Sequence, residues 1–314
     1  MEKVVHKVLA LKYRPKNFNE LIGQDIAVET IKNSIILKKL PNAYLLSGIR
    51  GVGKTTTARL IAQAINCKKN FIQGEKVIQA VQEAGVFYKE GFMYRCHPQI
   101  PALLDLIKNK VIGDVKKITS SFGFDMKKII PEHRLFNKDL AGGAILDVGL
   151  YPVSFSRMIA GANSGKKFIN PKNITGTAEI GKTGVDEVSS AIMEFDNGVT
   201  AEANTAIMKN MDNNAIIDGS DGKIIIDDPW MPGRNGGPYH SIIRIIKNEK
   251  EELREFKGPE HLFFFEAELS SQTILKEKQQ VPYPGMTWED TLGNLKVLDL
   301  WRQKINYQIK EDNL

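Results

Sequence analysis

The sequence predicts a short α/β fragment followed by an α+β domain built on a large, mostly antiparallel sheet. Three observations carry this. A glycine-rich loop, Gly48-Ile49-Arg50-Gly51-Val52-Gly53-Lys54-Thr55, stands between a short apolar run and a helical stretch. A helix-strand-loop-helix-strand passage runs from residue 74 to residue 124. From Ile174 onward, short runs alternating apolar and polar residues are separated by turn signals such as Asp196-Asn197-Gly198 and Ser220-Asp221-Gly222.

Composition sets the outer limits. The chain has 314 residues, 42% hydrophobic and 25% charged, which is ordinary for a globular protein with room for about two domains. Its two cysteines, Cys67 and Cys96, have no CxxC or Cys/His spacing, so neither a disulfide framework nor a zinc site is indicated, and a reducing cytoplasmic setting is expected. No run approaches the roughly 18 apolar residues of a membrane helix, and the N-terminus has no secretory pattern. The net charge of +6 is unevenly spread: residues 1–70 carry a net +9 and the remainder a net −3. A basic stretch attracts phosphates in general, but a solvated helix face accounts for this one, and no nucleic-acid contact is expected.

In residues 1–70, Lys12-Tyr13-Arg14-Pro15 leads into a helix from Asp25 to about Leu40, ended by Pro41-Asn42. Ala43–Ser47 reads as a short buried strand. The loop after it fits GxxxxGK[ST] with strand before and helix behind. Backbone amides freed by Gly48, Gly51 and Gly53 can converge on phosphate oxygens. Lys54 neutralises the terminal phosphates, and Thr55, with Thr56 beside it, can hold nucleotide-bound Mg²⁺. The bland alternative is a glycine turn between strand and helix.

Asn66 to Glu75 reads as a seam between two kinds of protein. Beyond it, Glu75–Ala84 is an amphipathic helix stopped by Gly85, Val86–Glu90 a buried strand, Ile100–Lys110 a helix, and a strand from about Ile112 reaches Phe124. Leu140 to Val153 contains Asp147 and Tyr151, whose spacing of four places them on one helix face. A carboxylate beside a phenol can orient it as proton donor to a carbonyl oxygen; a capping Asp and a packed Tyr is the simpler reading of the spacing alone. The sheet follows as Ile174–Ile180, Val188–Phe195, Val199–Met208, Ala215–Asp218, Lys223–Ile226, Ser241–Lys247 and Glu252–Phe256. Helices Leu262–Lys278 and Trp288–Tyr307 close the chain.

Lys12-Tyr13-Arg14-Pro15, Leu21-Ile22-Gly23-Gln24 and the loop at Gly48 to Thr56 resemble the N-terminus of the bacterial DNA polymerase III gamma/tau subunit, a clamp-loader ATPase. The resemblance implies ATP and Mg²⁺ at that loop and stops near residue 70. The family's acidic strand end, further zinc cysteines and Ser-Arg-Cys motif do not follow.

Glu90-Gly91-Phe92-Met93-Tyr94-Arg95-Cys96-His97-Pro98-Gln99, Arg134-Leu135-Phe136-Asn137, and Ala141-Gly142-Gly143-Ala144-Ile145-Leu146-Asp147-Val148-Gly149-Leu150-Tyr151-Pro152 resemble the Gfo/Idh/MocA oxidoreductases, and Tyr151 suggests the dihydrodiol-dehydrogenase-like branch. That likeness implies NAD(P), a sugar or diol substrate, Tyr151 as catalytic acid/base with Asp147, substrate contacts from Arg95 and Arg134, and a homo-oligomer formed through the C-terminal sheet. It divides the chain into a partial P-loop segment (1–70), a remnant of a Rossmann domain (71–98) and an α+β domain (99–314). A GxGxxG turn and a Glu-Lys-Pro motif, both expected of the family, do not occur. Three readings stand at this stage: an oxidoreductase impaired by loss of its dinucleotide-binding half, an ATP-binding clamp-loader fragment, and a non-catalytic fusion product.

Overall fold

The computed structural model describes Glu29, residues 70–233, residues 237–309 and Asp312. Apart from Glu29, which is helical, the helix expected over Asp25–Leu40 lies outside these residues, as do the strand at Ala43–Ser47 and the loop carrying Gly48, Gly51, Gly53, Lys54, Thr55 and Thr56. Of the described residues, 70–78 and those from Phe87 onward form one compact unit, and Gln79–Val86 is grouped with a second.

Helix α1, Phe71–Ala84, begins earlier than its periodicity suggests. Asn70 Oδ1 accepts the amide of Gln73 at 3.0 Å and Asp299 Oδ2 accepts that of Phe71 at 2.8 Å, so two of the first-turn donors that a helix leaves unsatisfied are met. Gly85 ends α1 at φ +66°, as a left-handed terminator should. Val86–Glu90 is extended but joins no ladder, contrary to expectation. The Tyr88 amide bonds to the Gln279 carbonyl at 2.9 Å, in a loop and not in a neighbouring strand. Apolar residues make a run look like a strand; only a paired edge makes it one.

A short turn, Met93–Cys96, precedes α2, Gln99–Lys108. Then β1, Val115–Gly123, enters the sheet, with Ile118, Ser120 and Phe122 buried and the residues between them facing the other side. Tight turns at Arg134–Phe136 and Lys138–Leu140 and a wide helical turn at Ile145–Gly149 lead into α3, Leu150–Asn163. The sheet continues through β2 (Asn173–Ile180), β3 (Asp186–Glu194), β4 (Thr200–Ala206), β5 (Ala215–Gly219), β6 (Lys223–Ile226), β7 (His240–Lys247) and β8 (Lys250–Lys257). Helices α4, Leu262–Leu275, and α5, Trp288–Lys304, close it.

The eight strands lie in the order β2-β3-β4-β1-β5-β6-β7-β8. Only β1 and β4 run parallel, so the expectation of a mostly antiparallel sheet is met. The outer strand β8 is charged on both sides, which discourages further strand pairing. Helix α3 packs on β1 and β4, and α5 packs on β2 and α3. Val153, Phe155, Met158 and Ile159 bury α3 almost all round. The opposite sheet face carries the cross-strand row Ile192, Glu202, Thr119, Ile216, Ile225, Arg244 and Leu253; Ile192 and Leu253 are more than half exposed. Among the described residues no helix is long and apolar enough to cross a membrane, and no cluster of three His, Cys, Asp or Glu residues could hold a metal ion.

Candidate functional site

Tyr151 stands in the first turn of α3, and its ring is packed among others. Centroids of Phe92, Phe122 and Tyr94 lie 5.2, 5.3 and 5.9 Å away, and that of Trp230 6.3 Å. Trp230 Nε1 in turn donates to the Ser121 carbonyl on β1 at 2.8 Å, which anchors the far wall to the sheet. The Tyr151 hydroxyl has Met93 Sδ at 3.6 Å, a weak acceptor. Burial, and then the nearby Asp147 carboxylate, push the phenol well above the usual tyrosine range. Asp147 therefore opposes ionisation of Tyr151 and leaves the phenol protonated and weakly acidic.

Asp147 is held by Arg134, whose Nη1 donates to its Oδ1. The Asp147 side chain is 13% exposed and that of Arg134 is 65% exposed, so the pair has one partner at the surface. The structure brings Tyr151, Asp147 and Arg134 into one neighbourhood, but the carboxylate is aimed at the guanidinium and the phenol at sulfur. Asp147 lies in the wide turn Ile145–Gly149, not in α3, so the regular four-residue alignment with Tyr151 does not apply.

Arg95 is placed differently from the expectation of a substrate contact. Its side chain is fully buried: Nε donates to the Pro284 carbonyl at 2.7 Å, Nη1 to Ser154 Oγ at 2.8 Å and Nη2 to Asp290 Oδ2 at 2.7 Å. Asp290 also receives Arg157 Nη1 at 2.6 Å, and Tyr94 donates to Ser154 Oγ at 3.0 Å. This network lies behind the turn that presents Phe92, Met93 and Tyr94 to Tyr151, and it fixes that turn to α3 and α5. Nothing in the spacing of Arg95, Arg157 and Asp290 announces the contact. The one sequence signal is Arg157 itself, a charge within the apolar run Phe155 to Ala160.

Asp186, the first residue of β3, also escaped the sequence reading. It is fully buried, and Oδ2 accepts the Ile145 amide at 2.8 Å and the Ser189 hydroxyl at 2.9 Å. Desolvation pushes its carboxyl up to about 7 against these hydrogen bonds and those of the Asp186 and Ala144 amides. Gly143, at φ +108°, passes so close that a Cβ there would stand 2.0 Å from Asp186 Oδ1. Only glycine fits both that backbone and that approach.

Comparison with known proteins places the chain in a family. Residues 101–225 match the GFO/IDH/MocA C-terminal domain. The chain is 31% identical over 236 residues to trans-1,2-dihydrobenzene-1,2-diol dehydrogenase of Mus musculus, a match covering 72% of this chain and 68% of that protein. A separate stretch of 63 residues is 52% identical to DNA polymerase III subunit gamma of Buchnera aphidicola subsp. Schizaphis graminum, covering 20% of this chain and 17% of that subunit. Among solved structures, KijD10, a 3-ketoreductase from Actinomadura kijaniata in complex with NADP and TDP-benzene, superposes with a TM-score of 0.65 at 22% identity, over 79% of this chain and 74% of its own. That likeness establishes the fold.

Proposed function

The chain belongs to the Gfo/Idh/MocA oxidoreductase family, and from that premise we propose that it carries the substrate half of an NAD(P)-dependent oxidoreductase for a sugar or diol, with its own turnover impaired. The observation that supports this best is the partly buried, protonated Tyr151 beside the Arg134–Asp147 pair. Tyr151 is the proton donor to the substrate oxygen, Asp147 and Arg134 orient the substrate's hydroxyl groups, and Arg95 acts from behind by holding the turn with Phe92 and Met93. A nicotinamide cofactor supplies the hydride chemistry when bound. The reacting side fits such a group: a weakly partnered phenol is set among aromatic rings. Residues 71–98 are read as the remnant of the dinucleotide-binding domain and 99–314 as the substrate domain. The open sheet face, with Ile192 and Leu253, is read as the surface of a homo-oligomer.

Impairment is argued from the sequence. No GxGxxG turn is present to receive a pyrophosphate, and residues 69–85 leave too little chain for the lysine motif that the family places next to its tyrosine. A second reading is favoured by the 63-residue similarity to a polymerase subunit: residues 1–70, through Gly48, Gly51, Gly53, Lys54, Thr55 and Thr56, bind nucleotide phosphate with Mg²⁺ and without hydrolysis. Equilibrium titration of the purified chain with NADPH and with ATP·Mg²⁺ separates the two. Weak ATP binding lost in Lys54→Ala supports the second reading. Saturable NADPH binding would show that the dinucleotide site is intact and would overturn the impairment.

A further inference from the structure

We propose that Asp186 is a positioning residue of this site: from the start of β3 it fixes the wide turn that sets Asp147 and Tyr151 in place. The proposal rests on the reading of Tyr151 and Asp147 as the reacting side. Its geometry is independent of that reading. Asp186 Oδ2 takes the Ile145 amide at 2.8 Å, the first amide of the turn Ile145–Gly149, and is itself held by Ser189 at 2.9 Å. Asp186 Oδ1 is buried without a hydrogen-bond partner and presses against the Gly143 Cα, where no side chain fits.

The same turn is gripped on its other side. Gly143 N–H donates to the Leu135 carbonyl at 2.9 Å, Gly142 N–H donates to that of Asn137 at 3.0 Å, and the Asp147 amide donates to the Gly143 carbonyl at 3.2 Å. A Cβ on Gly142 would lie 2.6 Å from the Leu135 carbonyl and 2.7 Å from that of Arg134. Gly142 and Gly143 are thus clamped between Asp186 and the turn that carries Arg134. Moving Asp186 shifts Arg134, Asp147 and Tyr151 together, although it touches no substrate itself. The carboxylate also meets the amide end of a helical segment, where negative charge is favoured.

The test uses the full chain without cofactor, as wild type, Asp186→Ala and Asp186→Asn. Amide hydrogen exchange is followed by mass spectrometry, and the Tyr151 resonance is followed in protein carrying ¹³Cζ-labelled tyrosine, assigned with Tyr151→Phe. Asp186→Ala should speed exchange over residues 143–151 about ten-fold, the order expected for a buried amide left without its acceptor, and displace the Tyr151 signal. Val115–Gly123 should keep its wild-type protection, and Asp186→Asn, which retains an acceptor for Ile145, should restore both readings. Exchange that rises equally across the chain, or a Tyr151 signal that does not move, overturns the proposal. Should Asp186→Ala not fold, Ser189→Ala removes the hydroxyl donor to the carboxylate; a smaller change confined to residues 143–151 then supports the proposal, and the absence of any change overturns it. NADPH titration of the wild type judges the oxidoreductase reading separately.

Discussion

Arg95 Nη2 lies 2.7 Å from Asp290 Oδ2, and neither side chain reaches solvent. The same carboxylate takes Arg157 at 2.6 Å, also fully buried, so one acid answers two guanidinium groups. Asp290→Asn would leave both cations without a counter-charge in a region that water does not reach. Breaking a buried pair in this way costs about 3–5 kcal/mol, much more than the pair contributes over an apolar replacement. Urea unfolding should show that loss in Asp290→Asn; a change under about 1 kcal/mol would mean that the network is solvated.

The Arg134–Asp147 pair should behave oppositely. Arg134 is largely exposed, so its Coulomb attraction is screened and an ion pair of this kind adds about 0–1 kcal/mol. Arg134→Ala is expected to unfold at nearly the wild-type urea concentration. Loss of ligand binding in that variant is then a property of the site and not of stability, whereas a large drop in midpoint would move Arg134 into the structural set.

His97 provides a pH dependence. It is fully buried, its ring meets those of Tyr239 and Phe265 edge-on, and its Nδ1 accepts the Gln99 amide at 3.2 Å. Burial pulls it down to about 4, whereas the unfolded chain titrates near 6.5. Between those values the unfolded state binds the extra proton, so stability is full above about pH 6.5 and is lost as pH falls toward 4. The loss is at most about 1.4 kcal/mol per pH unit. Thermal melts from pH 7 to pH 4 should fall more steeply in the wild type than in His97→Gln; parallel curves would contradict this.

The contrast between these sites explains what the sequence could reveal. Lys223–Ile226 was readable to the residue because an apolar run closed by Ser220-Asp221-Gly222 has local causes. Tyr151, Asp147 and Arg134 could be singled out from their motifs. Asp186 and Asp290 could not, since their partners are Ile145, Arg95 and Arg157, far away in the chain, and an isolated Asp gives no sign of which amide or guanidinium it will meet. Val86–Glu90 failed for the same reason in reverse: its composition suits a strand, but strand formation depends on a neighbour the run itself does not encode.

Residues 70–314 are expected to fold without what precedes them and to self-associate. Asn70 and Asp299 satisfy the first amides of α1, and Gly74 lies so close to α5 that a Cβ on it would stand 2.5 Å from Leu295. The open face with Ile192 and Leu253 offers apolar surface that a second copy would cover. Light scattering of a chain starting at Asn70 should report a folded oligomer, and Ile192→Glu should lower its mass. A monomer at every concentration would argue against the sheet as an interface.

The last expectation concerns turnover. Hydride transfer requires donor and acceptor carbons held within about 3–3.5 Å, and dinucleotide-binding folds achieve this by fixing the pyrophosphate on a glycine-rich turn at a helix N-terminus. Gly48 to Gly53 has the spacing of a P-loop instead. Tyr151 adds a chemical obstacle, because burial and Asp147 hold its phenol above the ordinary range. Such a group is too weak an acid to give its proton readily during reduction, and near neutrality almost none of it is phenolate to accept one during oxidation. The intact chain should therefore consume no measurable NADPH with sugars or diketones at pH 7, and should oxidise diols with NADP⁺ still less. Substrate-dependent NADPH consumption that disappears in Tyr151→Phe would show that residues 1–85 build a working dinucleotide site by another route.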